Sequence, residues 1–385
     1  MSLPSSQHYR SQGRRLGIDE NILDRAVEAI ERIRRTDPRL TPVLTLRHLS
    51  ELTGAHYGYL RRVVARMLGQ YRRISLRKRI PGRSRHRIIS IPPQQLMEVQ
   101  QWIVQNILRH VEPCSASFAY HPGSSPVLAA EEHCGCAWLL KIDIEDFFHT
   151  ITEGRISALF FQLGYPRLLA FELARLTTML IDSPGPALVR QPAQRWPAIP
   201  YYHSPWEGVL PQGAPTSPML SNLVMRDLDT RLLSLSAQYG MRYTRYADDL
   251  AFSCRTGHDR AYVERFKRLV LAELSHEGFR PNLRKSVIRG PGTRRIVLGM
   301  LVNGPTPKLP REFKDMLRLH LHYLRSPNFG PSKHAERLKT SLSTLYHRVR
   351  GLIGWATSVE PDYGAECLAS FEEVDWPPVQ PRFEE

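Results

Sequence analysis

Three carboxylates in this 385-residue sequence are placed where they could do chemistry together. Asp143 closes the apolar run "CAWLLKID", and Asp248 and Asp249 stand side by side in "RYTRYADDLAFS". Tyr243 and Tyr246 lead into that pair and Leu250 and Phe252 lead out of it, an alternation that predicts a β-hairpin with both acids at its turn. If the hairpin lies beside the strand ending at Asp143, three like charges converge, and shared protons or a cation must relieve the repulsion. Hard oxygen donors suit Mg2+, which binds through a few carboxylates, waters and substrate phosphates. Two such ions roughly 4 Å apart clamp the attacking and leaving oxygens of an in-line phosphoryl displacement, which is nucleotidyl-transfer chemistry. The plain alternative is a solvated turn. Tyr-X-Asp-Asp alone arises by chance in on the order of a few per cent of chains this long, so the reading depends on its surroundings.

Lys and Arg number 53 against 37 Asp and Glu, and the net charge of +16 favours a polyanionic partner, nucleic acid first. No apolar run reaches spanning length and "MSLPSSQHYRSQGRR" is not signal-like, so no membrane is expected and the cytoplasm is the default location. Cys114, Cys134, Cys136, Cys254 and Cys367 fit no zinc spacing and read as reduced thiols.

The elements that must position the acids follow in order along the chain. Residues 17 to about 70 read as helices, and "TLRHLSELTGAHYGYLRRVVARML" has the helix, Gly turn, helix form also seen in DNA-binding regulators. The cation-dense "YRRISLRKRIPGRSRHRIISIP" predicts a basic hairpin turning at Pro81 and Gly82, able to hold Arg79 and Arg87 toward phosphates; a solvated, disordered run is the alternative. A helix should start after Pro93 and end near Val111. A buried strand should then deliver Asp143, followed by helix to about residue 181 and a Pro-rich loop to Val209. "LPQGAPTSPMLSNLVMRDLDTRLLSL" joins a Gly/Pro loop to a long amphipathic helix, and about eighty residues at the end read as cation-bearing helices.

Taken in register, "WLLKIDIEDFFHTI", "LPQGAPTSPMLSNL", "YTRYADDLAFS" and "GFRPNLRKSVI" resemble four successive palm motifs of reverse transcriptases. The basic hairpin resembles the fingers of that family and "VRGLIGWATSVEPDYGAECLASF" its thumb, so nearly all of the chain from about Thr45 is covered. The resemblance implies an α+β right-hand polymerase: an N-terminal helical region over 1–70, fingers and palm with an antiparallel sheet plus helices over 71–304, and a helical thumb with a C-terminal tail over 305–385. It implies that Asp143, Asp248 and Asp249 are the catalytic, metal-binding residues, carrying two Mg2+ ions, and that dNTPs are the substrates. Phe148 falls where the family keeps an aromatic that excludes a 2′-hydroxyl, Arg87 where it meets the triphosphate, Gln212 and Gly213 at the nascent base pair, and Lys285 near the departing pyrophosphate.

Within that family the chain looks most like bacterial retron reverse transcriptases, whose N-terminal helical region resembles "HLSELTGAHYGYLRRVV" and serves as an RNA-binding platform. This implies that part of a dedicated structured noncoding RNA is copied into cDNA from a guanosine 2′-hydroxyl, giving a branched RNA–DNA hybrid (msDNA) in anti-phage defence with an effector protein. Too few residues follow the thumb for an RNase H region, so a host RNase H is expected to remove the template. Arg79, His133, Lys314, Arg318 and Arg348 are the expected RNA contacts. The chain departs from the pattern in "AAEEH", with Ala129 in place of Asn and His133 retained, and in "VLG", where Leu298 replaces Thr. A group II intron-like or other defence-associated reverse transcriptase, or a noncatalytic RNA-binding protein on the same fold, would share much of this pattern.

Overall fold

The computed structural model describes residues 6–68, 71–80, 83–181, 207–255 and 258–377, and of residues 6–8, 77–80 and 83–87 the backbone alone. The turn at Pro81 and Gly82 and most of the Pro-rich loop before Val209 lie outside the described residues.

The helical start of the chain is built from α1 (Ser6–Arg15), α2 (Glu20–Thr36), α3 (Leu46–Thr53) and α4 (Tyr57–Val64). Each boundary has a local cause. Asp19 caps α2 by accepting the Asn21 N–H, and Glu20 and the pair Arg34 and Arg35 sit at the ends whose partial charges they oppose. Thr45 caps α3, and Gly54 at φ +70 ends it in the left-handed conformation that lets α4 start at once. The basic segment forms the antiparallel pair β1 (Arg72–Ile80) and β2 (Arg83–Ile91), in register from Arg72 opposite Ile91 to Ile80 opposite Arg83. Then come α5 (Gln94–Asn106), α6 (Pro126–Glu131), β3 (Trp138–Asp143), α7 (Phe147–Thr150), α8 (Glu153–Gln162) and α9 (Arg167–Thr177). The helix after Pro93 is shorter than the pattern predicts, because Ile107 leaves helical geometry and a single 3-10 turn, Leu108–His110, completes the segment. The order continues with α10 (Ser217–Gln238), β4 (Arg242–Tyr246), β5 (Asp249–Cys254), α11 (Arg260–His276), β6 (Val287–Arg289), β7 (Ile296–Val297) and β8 (Met300–Leu301). It ends with α12 (Arg311–Arg325), α13 (Gly330–Arg337), α14 (Leu342–Val359) and α15 (Pro361–Glu372).

The central sheet has the order β4-β5-β3-β6 with antiparallel neighbours throughout. Its alternation divides two apolar cores. Leu140, Ile142, Leu250 and Phe252 face the larger one, shared with α2 to α5 and α8 to α11, whereas Leu139 and Ala251 face the other, built with α12 to α15. A strand buried on both faces must read as a continuous apolar run, which is why β3 carries Leu139, Leu140 and Ile142 almost without interruption. Among the described residues no helix is long and apolar enough to cross a membrane.

Candidate active site

β3 and β5 pair so that Asp143 stands directly opposite Asp249, and the carbonyl of Asp248 accepts the N–H of Ile144 at 3.1 Å. The hairpin expected around the acids is present, with one difference. The turn is made by Ala247 and Asp248, and Asp249 is already the first residue of β5, opposite Tyr246. Ala247 has φ +57, a left-handed backbone that a non-glycine residue needs support to hold. Arg245 supplies support: its Nη1 donates to the Ala247 carbonyl at 3.2 Å and to Asn222 Oδ1 at 3.0 Å. The same guanidinium forks onto Asp229, Nε to Oδ1 at 2.9 Å and Nη2 to Oδ2 at 2.7 Å, with neither side chain exposed. A buried charge is tolerable only when paired and hydrogen-bonded in this way.

Burial and the neighbouring charge of Asp249 push the Asp248 carboxyl above the usual range. Burial likewise raises Asp249, with Asp143 adding to it against the opposing Lys141. Asp143 is balanced differently. Lys285 Nζ donates to both its oxygens, at 2.7 and 2.9 Å, and Asn282 Nδ2 donates to Oδ2 at 3.1 Å. Among the described residues no group of three acidic, His or Cys side chains is placed to grip a single ion. The donor chemistry still suits a hard divalent cation: Asp143 and Asp249 stand opposite each other at the ends of β3 and β5 with Asp248 adjoining, two with raised proton affinity and the third held by an ammonium. The Lys285 side chain is 49% exposed, so it can withdraw from Asp143 into solvent.

Phe148 lies on α7, five positions after Asp143, partly buried and edge-to-face against Phe147 at 5.5 Å. Gln212 and Gly213 lie where the 207–213 segment meets β2. The Gln212 carbonyl accepts the Ser90 N–H at 2.7 Å, and Gly213, at φ +119, lies so close that a Cβ there would stand 2.6 Å from Ile89 Cγ2. The close approach that requires glycine is therefore to the base of the hairpin carrying Arg87. Arg87 pairs with Leu76 and Arg79 with Ser84 along the strands, but both arginine side chains lie outside the described residues.

His133, expected at the RNA surface, has none of its area exposed. Its Nδ1 is 2.7 Å from Ser253 Oγ and its Nε2 2.8 Å from Thr244 Oγ1, so it clamps β4 to β5 and its ring is not at the protein surface. The three thumb cations differ among themselves. Lys314 donates to Glu360 Oε2 at 2.8 Å and sits over the Tyr363 ring, linking α12 to the start of α15. Arg318 is exposed and pairs with Asp315 at 3.2 Å, and Arg348 is half-buried on α14. None of the three belongs to the carboxylate cluster. Sequence reasoning missed Arg245, Asp229 and Asn222; a cation, an acid and an amide within motifs do not by type distinguish a core strut from a surface group.

Residues 77–301 match the family model described as "Reverse transcriptase (RNA-dependent DNA polymerase)". The chain is 28% identical to the retron Ec86 reverse transcriptase of Escherichia coli over 85% of this chain and 93% of that one. It is 30% identical to the retron Ec83 reverse transcriptase of the same organism, over 74% and 83% of the two chains. To the retron Mx65 reverse transcriptase of Myxococcus xanthus it is 35% identical over 61% of this chain and 52% of the other.

Proposed function

The chain belongs to the reverse transcriptase family as a retron-type RNA-directed DNA polymerase, and we propose that Asp143, Asp248 and Asp249 hold its divalent metal, as two Mg2+ ions. Family membership brings an RNA template, a cDNA product, dNTP substrates and a divalent ion. The observation that carries the assignment is the strand register that sets Asp143 opposite Asp249 with Asp248 beside it. Bound ions would supply the charge that activates a primer hydroxyl and stabilises a departing pyrophosphate. The rest of the work falls to side chains. Arg245 holds the turn that aims Asp248. Lys285 pairs with Asp143 in the free protein and is long and exposed enough to meet the departing anion. Gln212 and Gly213 seat the base of the fingers hairpin; in this reading Arg87 serves the triphosphate and Phe148 the sugar of the incoming nucleotide.

In this reading the chain divides into the N-terminal helical region 1–70, fingers and palm 71–304, and thumb with tail 305–385. The template is a dedicated structured noncoding RNA, primed from a guanosine 2′-hydroxyl to give a branched RNA–DNA hybrid. The enzyme works in the cytoplasm with an effector protein in anti-phage defence, and a host RNase H trims the template. Similarity to retron enzymes along most of the chain supports this reading. Expression in bacteria with the native flanking DNA should yield a short single-stranded DNA whose mobility changes after RNase and debranching treatment. Asp248→Asn should abolish it while circular dichroism and RNA binding stay intact. Nucleotide incorporation by that variant would refute the metal role, and a product untouched by debranching would refute 2′-priming.

A further inference from the structure

The end of the N-terminal helical region is joined to the nucleotide-facing loop through a buried ion cluster. Glu153, at the start of α8, is buried and receives two guanidinium groups: Arg175 Nε at 2.7 Å on Oε1 and Arg66 Nη2 at 2.5 Å on Oε2. One cation balances one carboxylate, and Arg175 comes from α9, which packs on α8 in the same unit. Arg66 reaches the same carboxylate from the N-terminal helical region, outside that unit. It also sits at φ +61, in the left-handed region that is unfavourable for a side chain of its kind. What holds it there is a set of further bonds, to the Thr178 carbonyl at 2.6 Å, Thr178 Oγ1 at 2.7 Å and the Arg175 carbonyl at 3.1 Å.

The cluster reaches the 207–213 segment at Gly208. The Gly208 N–H donates to Glu153 Oε2 at 3.3 Å and its carbonyl accepts the Glu153 N–H at 2.7 Å. A Cβ at 208 would overlap Arg66 Nη2 and lie 2.8 Å from Thr178 Oγ1, so the guanidinium occupies the space a side chain would need. From there the segment is fastened residue by residue. Val209 exchanges both backbone bonds with Met179, each at 2.9 Å, and Leu210 donates to the Ile151 carbonyl at 3.0 Å. Only Pro211 then precedes Gln212, which binds Ser90 of β2.

We propose that Arg66 is a positioning residue: through Gly208 it sets the 207–213 segment against β2, so that the N-terminal helical region governs how tightly the polymerase site holds an incoming nucleotide. This rests on the assignment of Gln212 and Gly213 to the nucleotide. Two variants test it. Arg66→Met removes the tether while Glu153 keeps Arg175, and Gly208→Ala crowds Arg66, Thr178 and Glu153 together while keeping every charge.

Each variant should raise the dNTP KM about tenfold, roughly what one of the four charge-assisted hydrogen bonds of Arg66 is worth, with kcat within about twofold of wild type. The double variant should be no worse than either single, since both break one connection. Hydrogen exchange at the Ser90 amide should quicken in both, while the amides of β3 and β5 keep their protection. That readout needs no polymerisation: if the wild type incorporates no nucleotide, the assigned function fails, and Ser90 exchange still decides the coupling. The proposal is overturned if the Ser90 amide exchanges at the wild-type rate in Gly208→Ala. It is also overturned if the two KM effects multiply in the double variant, or if Arg66→Met lowers kcat and thermal midpoint together with KM unchanged. Should Arg66→Met fail to fold, Gly208→Ala decides alone.

Discussion

His133 offers a quantitative test of the way the hairpin is held. The imidazole is fully buried between hydroxyls of β4 and β5, and burial, with the charge of Arg242 adding to it, brings its pKa from 6.5 down to about 3. Because the folded value lies below the unfolded one, the unfolded chain takes up a proton that the native state refuses. The stability contributed by the neutral ring is thus complete above the unfolded pKa and is lost as pH falls toward the folded one. Integrated between pH 7 and pH 5, one such site removes about 2 kcal/mol. The perturbation is His133→Gln, whose amide can donate to one hydroxyl and accept from the other but does not titrate. Urea unfolding of both proteins at the two pH values should show the wild type losing about 2 kcal/mol more than the variant, since all other titrating groups are common to both. At pH 7 the variant should bind RNA with unchanged affinity and salt dependence. Equal pH sensitivity in the two proteins would refute the buried neutral imidazole, and a loss of RNA affinity without a loss of stability would restore His133 to the RNA surface.

Gly213→Ala should weaken the seat of the fingers hairpin by about 1–3 kcal/mol, because φ +119 and the contact with Ile89 both exclude a side chain. Faster proteolysis within 71–91 would report it, and an unchanged cleavage rate would count against the contact. Lys285→Met removes the ammonium that occupies Asp143, so Mg2+ should raise the thermal midpoint at a several-fold lower concentration than in the wild type. An unaltered Mg2+ dependence would show that Lys285 does not compete for that carboxylate.

What the sequence determined by itself is what local pattern encodes. Pro81 and Gly82 between β-type segments specified the β1–β2 hairpin, alternation specified the hairpin of β4 and β5, and a near-continuous apolar run specified β3 as a buried strand. Gly54 marked the junction of α3 and α4 because few other residues adopt its conformation without strain. The convergence of the acids followed from the motifs only on the condition that hairpin and strand are neighbours. Tertiary structure met the condition, moved Asp249 out of the turn and into the ladder, and stabilised the Ala247 turn with Arg245. It also decided the fate of charged residues that look alike in sequence. Arg245 and Arg318 both add to the basic excess, yet one is locked onto Asp229 in the core and the other lies at the surface. His133 was legible as a motif residue but not as a core clamp, since its partners lie 111 and 120 positions away. Backbone conformation is set mainly by neighbours in the chain, whereas the burial of an ionisable group depends on distant residues arriving with the hydrogen bonds that offset its desolvation.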